Sequence, residues 1–339
     1  MRTYIILLLL FIGLSAFSQR SENLFSLVFY NIENFYDTIT TVGGSGNDFT
    51  PESQKQWNSE RYLKKVDDIG KVLSAIGDNE LPEIIGLSEV ENKRVLQDLI
   101  KSDYLRKGNY EIIHKDGPDA RGIDVALLYR KDEFIYSGSE FIHITFPFDS
   151  SLTTRDILHV TGKLSDGRDI HLYVNHWTSR VGGQRETESR RMYCAVALRR
   201  SIDMVLSRDS RARIVLMGDF NDDPTNKSLM NVIQSTNKRK NISIGEFYNL
   251  MYDEHNLSQT GSYLYQGEWY MYDQIIISPN LLTAVEGFRC TYESGKVFRQ
   301  DWMMVTNNKG VASPKRTYEG NKYSGGISDH LPVYLRLKK

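Results

Sequence analysis

The chain has 339 residues, with 42 Lys and Arg against 43 Asp and Glu, a formal net charge of -1 and 40% hydrophobic residues. This composition excludes a disordered or collagen-like chain, and the neutral balance excludes bulk attraction to polyanions or membrane surfaces, though not one locally charged site. Two cysteines, Cys194 and Cys290, exclude a disulfide framework; whether they pair is left open.

Met1 and Arg2 open the chain, followed by the apolar run Tyr4 to Leu14, which is too short to span a bilayer. Ala16-Phe17-Ser18 then sets small residues at signal-peptidase spacing. Residues 1–18 are therefore expected to be a cleaved signal peptide, and the mature protein to be periplasmic or secreted. No later segment is long and apolar enough to span a membrane, and no repeat or linker divides residues 19–339, which read as one domain.

Leu24 to Tyr30 reads as a strand delivering Asn31 and Glu33 on one face. A glycine-rich polar loop, Asp37 to Asn58, follows. Ser59 is a candidate N-cap for the helix Glu60 to Ile76, whose apolar residues keep helical spacing. The strand Glu83 to Leu87 delivers Ser88-Glu89-Val90-Glu91-Asn92, and a helix runs from Lys93 to Ile100. Tyr110 to His114 is a strand, Asp116-Gly117-Pro118-Asp119 a turn, and Arg121 and Asp124 lead into the strand Val125 to Tyr129. Ser165-Asp166-Gly167-Arg168 joins a hairpin whose second strand, Ile170 to Val174, delivers Asn175-His176-Trp177. An arginine-rich helix, Glu186 to Leu206, is expected to turn Arg190, Cys194, Ala197 and Leu198 inward. The apolar strand Arg213 to Leu216 ends in Gly218-Asp219-Phe220-Asn221, and Lys227 to Ser235 reads as a helix. Asp273 sits within an apolar strand, Trp269 to Ile277. Ser328-Asp329-His330-Leu331-Pro332 precedes the last strand, Val333 to Leu337.

Acidic and amide side chains thus recur at strand ends, joined by two histidines. Hard oxygen ligands with little imidazole suit Mg²⁺ or Mn²⁺, with Ca²⁺ also possible, and such sites suit phosphate-ester hydrolysis. Trp57, Trp177, Trp269 and Trp302 are the aromatic candidates for a stacking rim around bases or sugars, with plain packing as the alternative.

Seven stretches carry a family likeness: Tyr30-Asn31-Ile32-Glu33-Asn34, Leu87 to Asn92, Arg121 to Ala126, Val174-Asn175-His176-Trp177, Gly218-Asp219-Phe220-Asn221, Asp273-Gln274-Ile275 and Ser328 to Pro332. In that order they resemble the endonuclease/exonuclease/phosphatase superfamily, the fold of DNase I, and in wording its exported Bacteroidetes-type members. The resemblance implies a four-layer α/β sandwich: two stacked, mostly antiparallel sheets flanked by helices. It implies a metal-dependent phosphodiesterase, in the first instance a nuclease acting on nucleic acid. A phosphatase or lipid-headgroup phosphodiesterase is the alternative on the same scaffold, and a non-catalytic binding protein the alternative of another class. It further implies metal ligation by Glu89, Asn31, Glu33 and Asp329. Catalysis falls to His330, Asp219, Asp273 and His176, and substrate binding to Asn175, Asn221 and Arg121. Asp219 and His330 remain alternative general bases. No stable protein partner is implied, and a monomer is expected.

Overall fold

The computed structural model describes residues 24–39, 48–77, 80–257 and 260–339. The expected signal peptide and the Gly43 to Asn47 part of the polar loop lie outside them.

Two large sheets dominate. In the first, β1 (Leu24–Phe35) lies parallel to β2 (Ile84–Val90). β3 (Tyr110–His114) and β4 (Asp124–Arg130) extend one side antiparallel. The second begins with β5 (Phe134–Ile142), β6 (Ile157–Leu164) and β7 (Asp169–His176), and β7 is parallel to β8 (Ile214–Asp219). β9 (Ser235–Thr236) and β10 (Phe247–Asn249) form its far edge. The small hairpin β11 (Tyr263–Tyr265) and β12 (Glu268–Tyr270) precedes β13 (Asp273–Ile277), which inserts between β8 and β10. β14 (Gly295–Val297) joins the edge of the first sheet. Two more hairpins, β15 (Met304–Thr306) with β16 (Ala312–Pro314) and β17 (Tyr318–Glu319) with β18 (Lys322–Tyr323), lead to β19 (Val333–Lys338), which pairs antiparallel with β1. The final orders are β14-β19-β1-β2-β4-β3 and β5-β6-β7-β8-β13-β10-β9.

The strands alternate between two apolar environments, because successive side chains leave opposite faces. Phe25, Leu27 and Phe29 of β1 meet Leu172 and Val174 of β7 and Val215 and Met217 of β8 in the core between the sheets. The intervening Val28, Tyr30 and Ile32 face outward, against Val66, Ile69 and Leu73 of α1 (Ser59–Ile76) and Leu96 and Leu99 of α2 (Lys93–Lys101). On the other flank, Ile214 and Leu216 pack under Cys194, Leu198 and Ile202 of α3 (Gln184–Arg208). Helix, sheet, sheet, helix is the four-layer order expected. Gly86 permits the close approach of the sheets: a Cβ there would lie 2.7 Å from Met217 Sδ. Among the described residues, no helix is long and apolar enough to cross a membrane.

Several local expectations are corrected. Asn58, not Ser59, caps α1, its side chain accepting from Arg61 N. On α3, Arg191 rather than Arg190 is buried, while Cys194 and Leu198 point inward as expected. Both cysteines are buried and free. The Lys227 to Ser235 helix is a single wide π-type turn, Ser228–Ile233. The expected strand Trp269 to Ile277 breaks at Met271 and Tyr272, and its halves join different sheets. Trp57 packs on the body, donating Nε1–H to Tyr36 O at 3.1 Å.

The β6–β7 hairpin carries a pH-sensitive pair. His159 Nε2 lies 3.0 Å from His171 Nδ1, and the His159 ring stacks on Tyr173 with centroids 4.2 Å apart. Burial and the neighbouring His171 push His159 down to about 4. Between that value and the ordinary imidazole value of about 6.5, the unfolded chain binds the extra proton, so stability falls as pH drops through this window. Discounting for partial exposure, acidification from pH 7 to 4 removes roughly 2 kcal/mol through this residue. Urea unfolding of His159→Gln at both pH values should show a smaller acid loss than the parent; an equal loss refutes the assignment.

Candidate active site

The parallel pairs β1–β2 and β7–β8 lie near the centres of their sheets, so their carboxyl ends open at the same edge of the sandwich, where α/β folds gather polar groups. At the end of β2 the register with β4 shifts between Ser88 and Val90, and Glu89 adopts φ +64°. The bulge re-aims the Glu89 carboxylate toward the opening. Its Oε2 accepts from Asn34 N at 2.8 Å and from Arg121 Nη2 at 3.1 Å, and Arg121 Nη2 also donates to Asn34 Oδ1 at 2.7 Å. Burial alone would favour the neutral acid, but Arg121 and the Asn34 N–H outweigh it and hold Glu89 below the usual carboxylate value.

β1 does not keep simple alternation to its end. Glu33 and Asn34 have φ of +46° and +51°, an irregularity that turns both toward the opening. Glu33 Oε2 accepts from Thr317 N at 2.7 Å, while the buried Lys65 ammonium donates to Glu33 O and to Thr317 Oγ1. Burial and the nearby Asp329 carboxylate push Glu33 up to about 7. Burial pushes Lys65 down.

From the second sheet, Asp219 ends β8, facing Asp273 of β13 in register. Asp219 Oδ1 accepts from Asn221 N at 2.9 Å and Oδ2 from Asn31 Nδ2 at 3.0 Å, so the carboxylate is fixed. Burial raises it to about 6, against the pull of His330. His330 Nδ1 lies 2.6 Å from Asp273 Oδ2, and its Nε2 lies 3.9 Å from Asp219 Oδ2. Burial disfavours the imidazolium, yet Asp273, Asp219 and Asp329 together hold His330 well above its ordinary value. His176 Nε2 lies 3.7 Å from Asp219 and 3.9 Å from Glu89, and burial beside Arg155 and Arg121 keeps it neutral.

These groups line a cavity of about 330 Å³, with Glu33, Glu89, Arg121, His176, Asp219, Asn221, Asp329 and His330 in its wall. Three expected site residues stand outside that wall: Asp273, wholly buried behind His330, Asn175 and Asn31. Asn175 is fully buried: its Nδ2 donates to Met217 O at 3.2 Å and its Oδ1 accepts from Trp177 Nε1 at 3.1 Å. It ties β7 to β8 and does not line the cavity. Asn31 stands behind Asp219, its Oδ1 accepting from Glu33 N at 3.1 Å. Asp329 reaches the cavity but its Oδ2 also accepts from Arg316 at 2.6 Å.

The aromatic wall is tyrosine, not tryptophan. Trp57 and Trp177 are wholly buried, and neither Trp269 nor Trp302 lines the cavity. Tyr263, Tyr265 and Tyr272 do, with Tyr263 tilted against His330 at 4.6 Å and stacked against Tyr272 at 5.5 Å. Arg180 lies over Tyr272 at 4.7 Å and donates to Asn221 O at 2.8 Å. The signal was present in sequence: tyrosines at period two flank Gln266-Gly267, a hairpin turn.

Four carboxylates, Glu33, Glu89, Asp219 and Asp329, therefore converge with Arg121 and His330. Four carboxylates facing one cavity offer the oxygen ligands that a hard divalent cation prefers. Asp219, Asp273 and His330 also offer ligand atoms within 4.8 Å of one another, but His330 Nδ1 is already bonded to Asp273 Oδ2, while Asp273 Oδ1 is buried without a partner; the His330–Asp273 bond suits moving or holding a proton.

A model of the Endonuclease/Exonuclease/phosphatase family matches residues 26–339. No functionally curated protein matches the sequence. Among solved structures, D. rerio TDP2 complexed with single-strand DNA product is similar with a TM-score of 0.56 at 14% identity, over 94% of this chain and 100% of that one. The mannosyl-6-phosphatase of Bacteroides thetaiotaomicron gives 0.56 at 16% identity, over 93% and 100%. The human Nocturnin catalytic domain gives 0.55 at 16%, over 94% and 95%. At these identities the structural likenesses establish the shared fold.

Proposed function

The chain belongs to the endonuclease/exonuclease/phosphatase family of phosphoester hydrolases, and on that premise we propose an exported, Mg²⁺- or Mn²⁺-dependent phosphodiesterase that cleaves nucleic acid. Residues 1–18 would be the leader and residues 19–339 one monomeric catalytic domain. The observation that carries the nuclease reading is the tyrosine wall. Tyr263 and Tyr265 separate the catalytic cavity from a second cavity of about 420 Å³ that shares Asp329 and is lined by Lys315 and Arg316. A phosphomonoester needs one closed pocket. A polymer needs stacking faces and contacts continuing past the reacting phosphate; the tyrosines offer the first, and Lys315 with the Arg316–Asp329 pair and Glu319 offers a polar continuation of balanced charge.

In this reading Glu89, Glu33 and Asp329 hold the cation, and Asn31 positions Asp219. The cation, when bound, neutralises phosphate charge and favours departure of the leaving oxygen. Arg121 and the positively charged His330 bind phosphate oxygens, with Asn221 and Arg180 at the cavity wall completing the cradle. Asp219, fixed by Asn31 and Asn221, orients and deprotonates the attacking water. Asp273 keeps the His330 ring oriented through Nδ1, and neutral His176 contributes a hydrogen bond beside Glu89.

The test is hydrolysis by the purified protein, with Mg²⁺ or Mn²⁺, of single- and double-stranded DNA, RNA, a generic phosphodiester, a phosphomonoester and sphingomyelin. Single-stranded nucleic acid should be the best substrate. Cleavage confined to phosphomonoesters or to sphingomyelin would replace the nuclease reading with one of its rivals. Glu89→Gln should weaken Mn²⁺ binding by about 10–100-fold, read from the electron paramagnetic resonance signal of free Mn²⁺. Unchanged affinity would remove Glu89 from the ligand set.

A further inference from the structure

Away from the catalytic cavity, β3 and β4 build a second convergence. His114 ends β3, Asp124 opens β4, and the connecting loop carries Asp116. His114 Nε2 lies 3.9 Å from Asp124 Oδ2, and His114 Nδ1 lies 3.8 Å from Asp116 Oδ1. One ligand atom from each of the three lies within 4.8 Å of the others. The His114 side chain is 2% exposed, and its Nε2 is buried with no hydrogen-bond partner. A buried ring nitrogen ordinarily finds a partner, so this one has an unmet valence aimed at a carboxylate. The Gly117 N–H fixes Asp124 Oδ2 at 3.1 Å, and a Cβ on Gly117 would lie 2.4 Å from Asp124 Oδ1, so this loop closes over the carboxylate only with glycine.

We propose that His114, Asp116 and Asp124 form an accessory site for a borderline divalent cation of the Zn²⁺ class, which fastens the loop 115–123. One imidazole with two carboxylates matches that class, whereas Mg²⁺ and Ca²⁺ prefer oxygen throughout. Three protein ligands leave the fourth tetrahedral position to water. Bonds of about 2.0 Å require ligand atoms about 3.3 Å apart. One ion takes one ring nitrogen, and the Asp116 side chain, 84% exposed, closes the distance from within the 4.8 Å span by rotating about its own side-chain bonds. The consequence for catalysis is indirect. Asp119, in the same loop, accepts from Arg121 N and from Arg155 Nη1, each at 3.0 Å, and Arg155 also holds His176 O and Trp177 O. Fastening the loop therefore steadies the backbone that carries Arg121 and His176.

The site is tested by Zn²⁺ titration calorimetry and thermal melting of the full chain carrying Glu89→Gln, which weakens the catalytic cation site and leaves this one. The Glu89→Gln protein should bind one Zn²⁺ and melt a few degrees higher with it. Adding His114→Gln, or the surface change Asp116→Asn, should weaken binding by roughly tenfold or more and abolish the shift. Asp116→Asn guards against a His114 variant that folds poorly. Unchanged Zn²⁺ affinity in both double variants, or no Zn²⁺ bound by Glu89→Gln itself, would overturn the proposal. Neither outcome depends on which substrate the catalytic cavity takes.

Discussion

Asp273→Asn is expected to lower kcat by about 10²–10⁴-fold with little change in KM. The carboxylate is wholly buried, and its strongest contact is with His330 Nδ1, at 2.6 Å. An ionised carboxylate holds the imidazole with Nδ1 protonated and sustains its positive charge; a carboxamide does neither and permits the ring to flip or lose that charge. The volume is unchanged and Asp273 N still donates to Ser262 Oγ at 3.0 Å, so β13 keeps its place beside β8. His330→Ala should cost a similar factor, and the double variant scarcely more than either alone, because the two residues act as a unit. The measurement is steady-state kinetics on the best substrate of the panel, beside urea unfolding of each variant. Turnover within a few-fold of the parent in Asp273→Asn would take the dyad out of the mechanism.

How much of this was legible in the sequence follows from what each residue's position rests on. Glu89, Asp219 and His330 follow or precede apolar strands, and the period of two places such residues at strand ends whatever the rest of the chain does. Hence the strands and most of the cavity could be read before the fold was seen. Asn175 was misplaced because alternation gives a side of the sheet but not a partner, and Trp177 and Met217 O claim its amide first. The bulges at Glu33 and Glu89 were invisible for a related reason: nothing in the residue type announces a positive φ in a glutamate. On α3 the error was of one residue. The helix is arginine-rich on several faces, so helical spacing could not separate Arg190 from Arg191, and the buried Asp222, in the loop after β8, selects between them. Lys65 was hidden likewise, as a charged residue on an amphipathic helix that ordinarily faces water but here anchors Glu33 and Thr317.

Arg191→Ala is expected to destabilise the protein by about 3–5 kcal/mol, the scale of removing one partner from a buried ion pair. Arg191 is fully buried and donates Nε–H to Asp222 Oδ1 at 2.7 Å, Nη1–H to Thr187 Oγ1 at 2.7 Å and Nη2–H to Gln184 O at 2.9 Å. Burial already pushes Asp222 toward its neutral form, and Arg191 is the chief force against it. Alanine leaves that carboxylate with only Arg180 Nη2 at 3.2 Å and Ser228 Oγ at 2.6 Å, and opens a void under α3. Lysine should not restore stability, since a point ammonium cannot reproduce the forked set of donors. The damage should also reach the cavity: Asp222 adjoins Asn221, and Arg180 bridges Asn221 O, Asp222 and the Tyr272 ring. Drawing Arg180 further toward an Asp222 that has lost Arg191 would pull it from that ring, raising KM more than it lowers kcat. Urea unfolding with an unchanged m-value reads the first effect and steady-state kinetics the second. A loss below about 1 kcal/mol would mean that Asp222 accepts a proton and stays buried without its arginine.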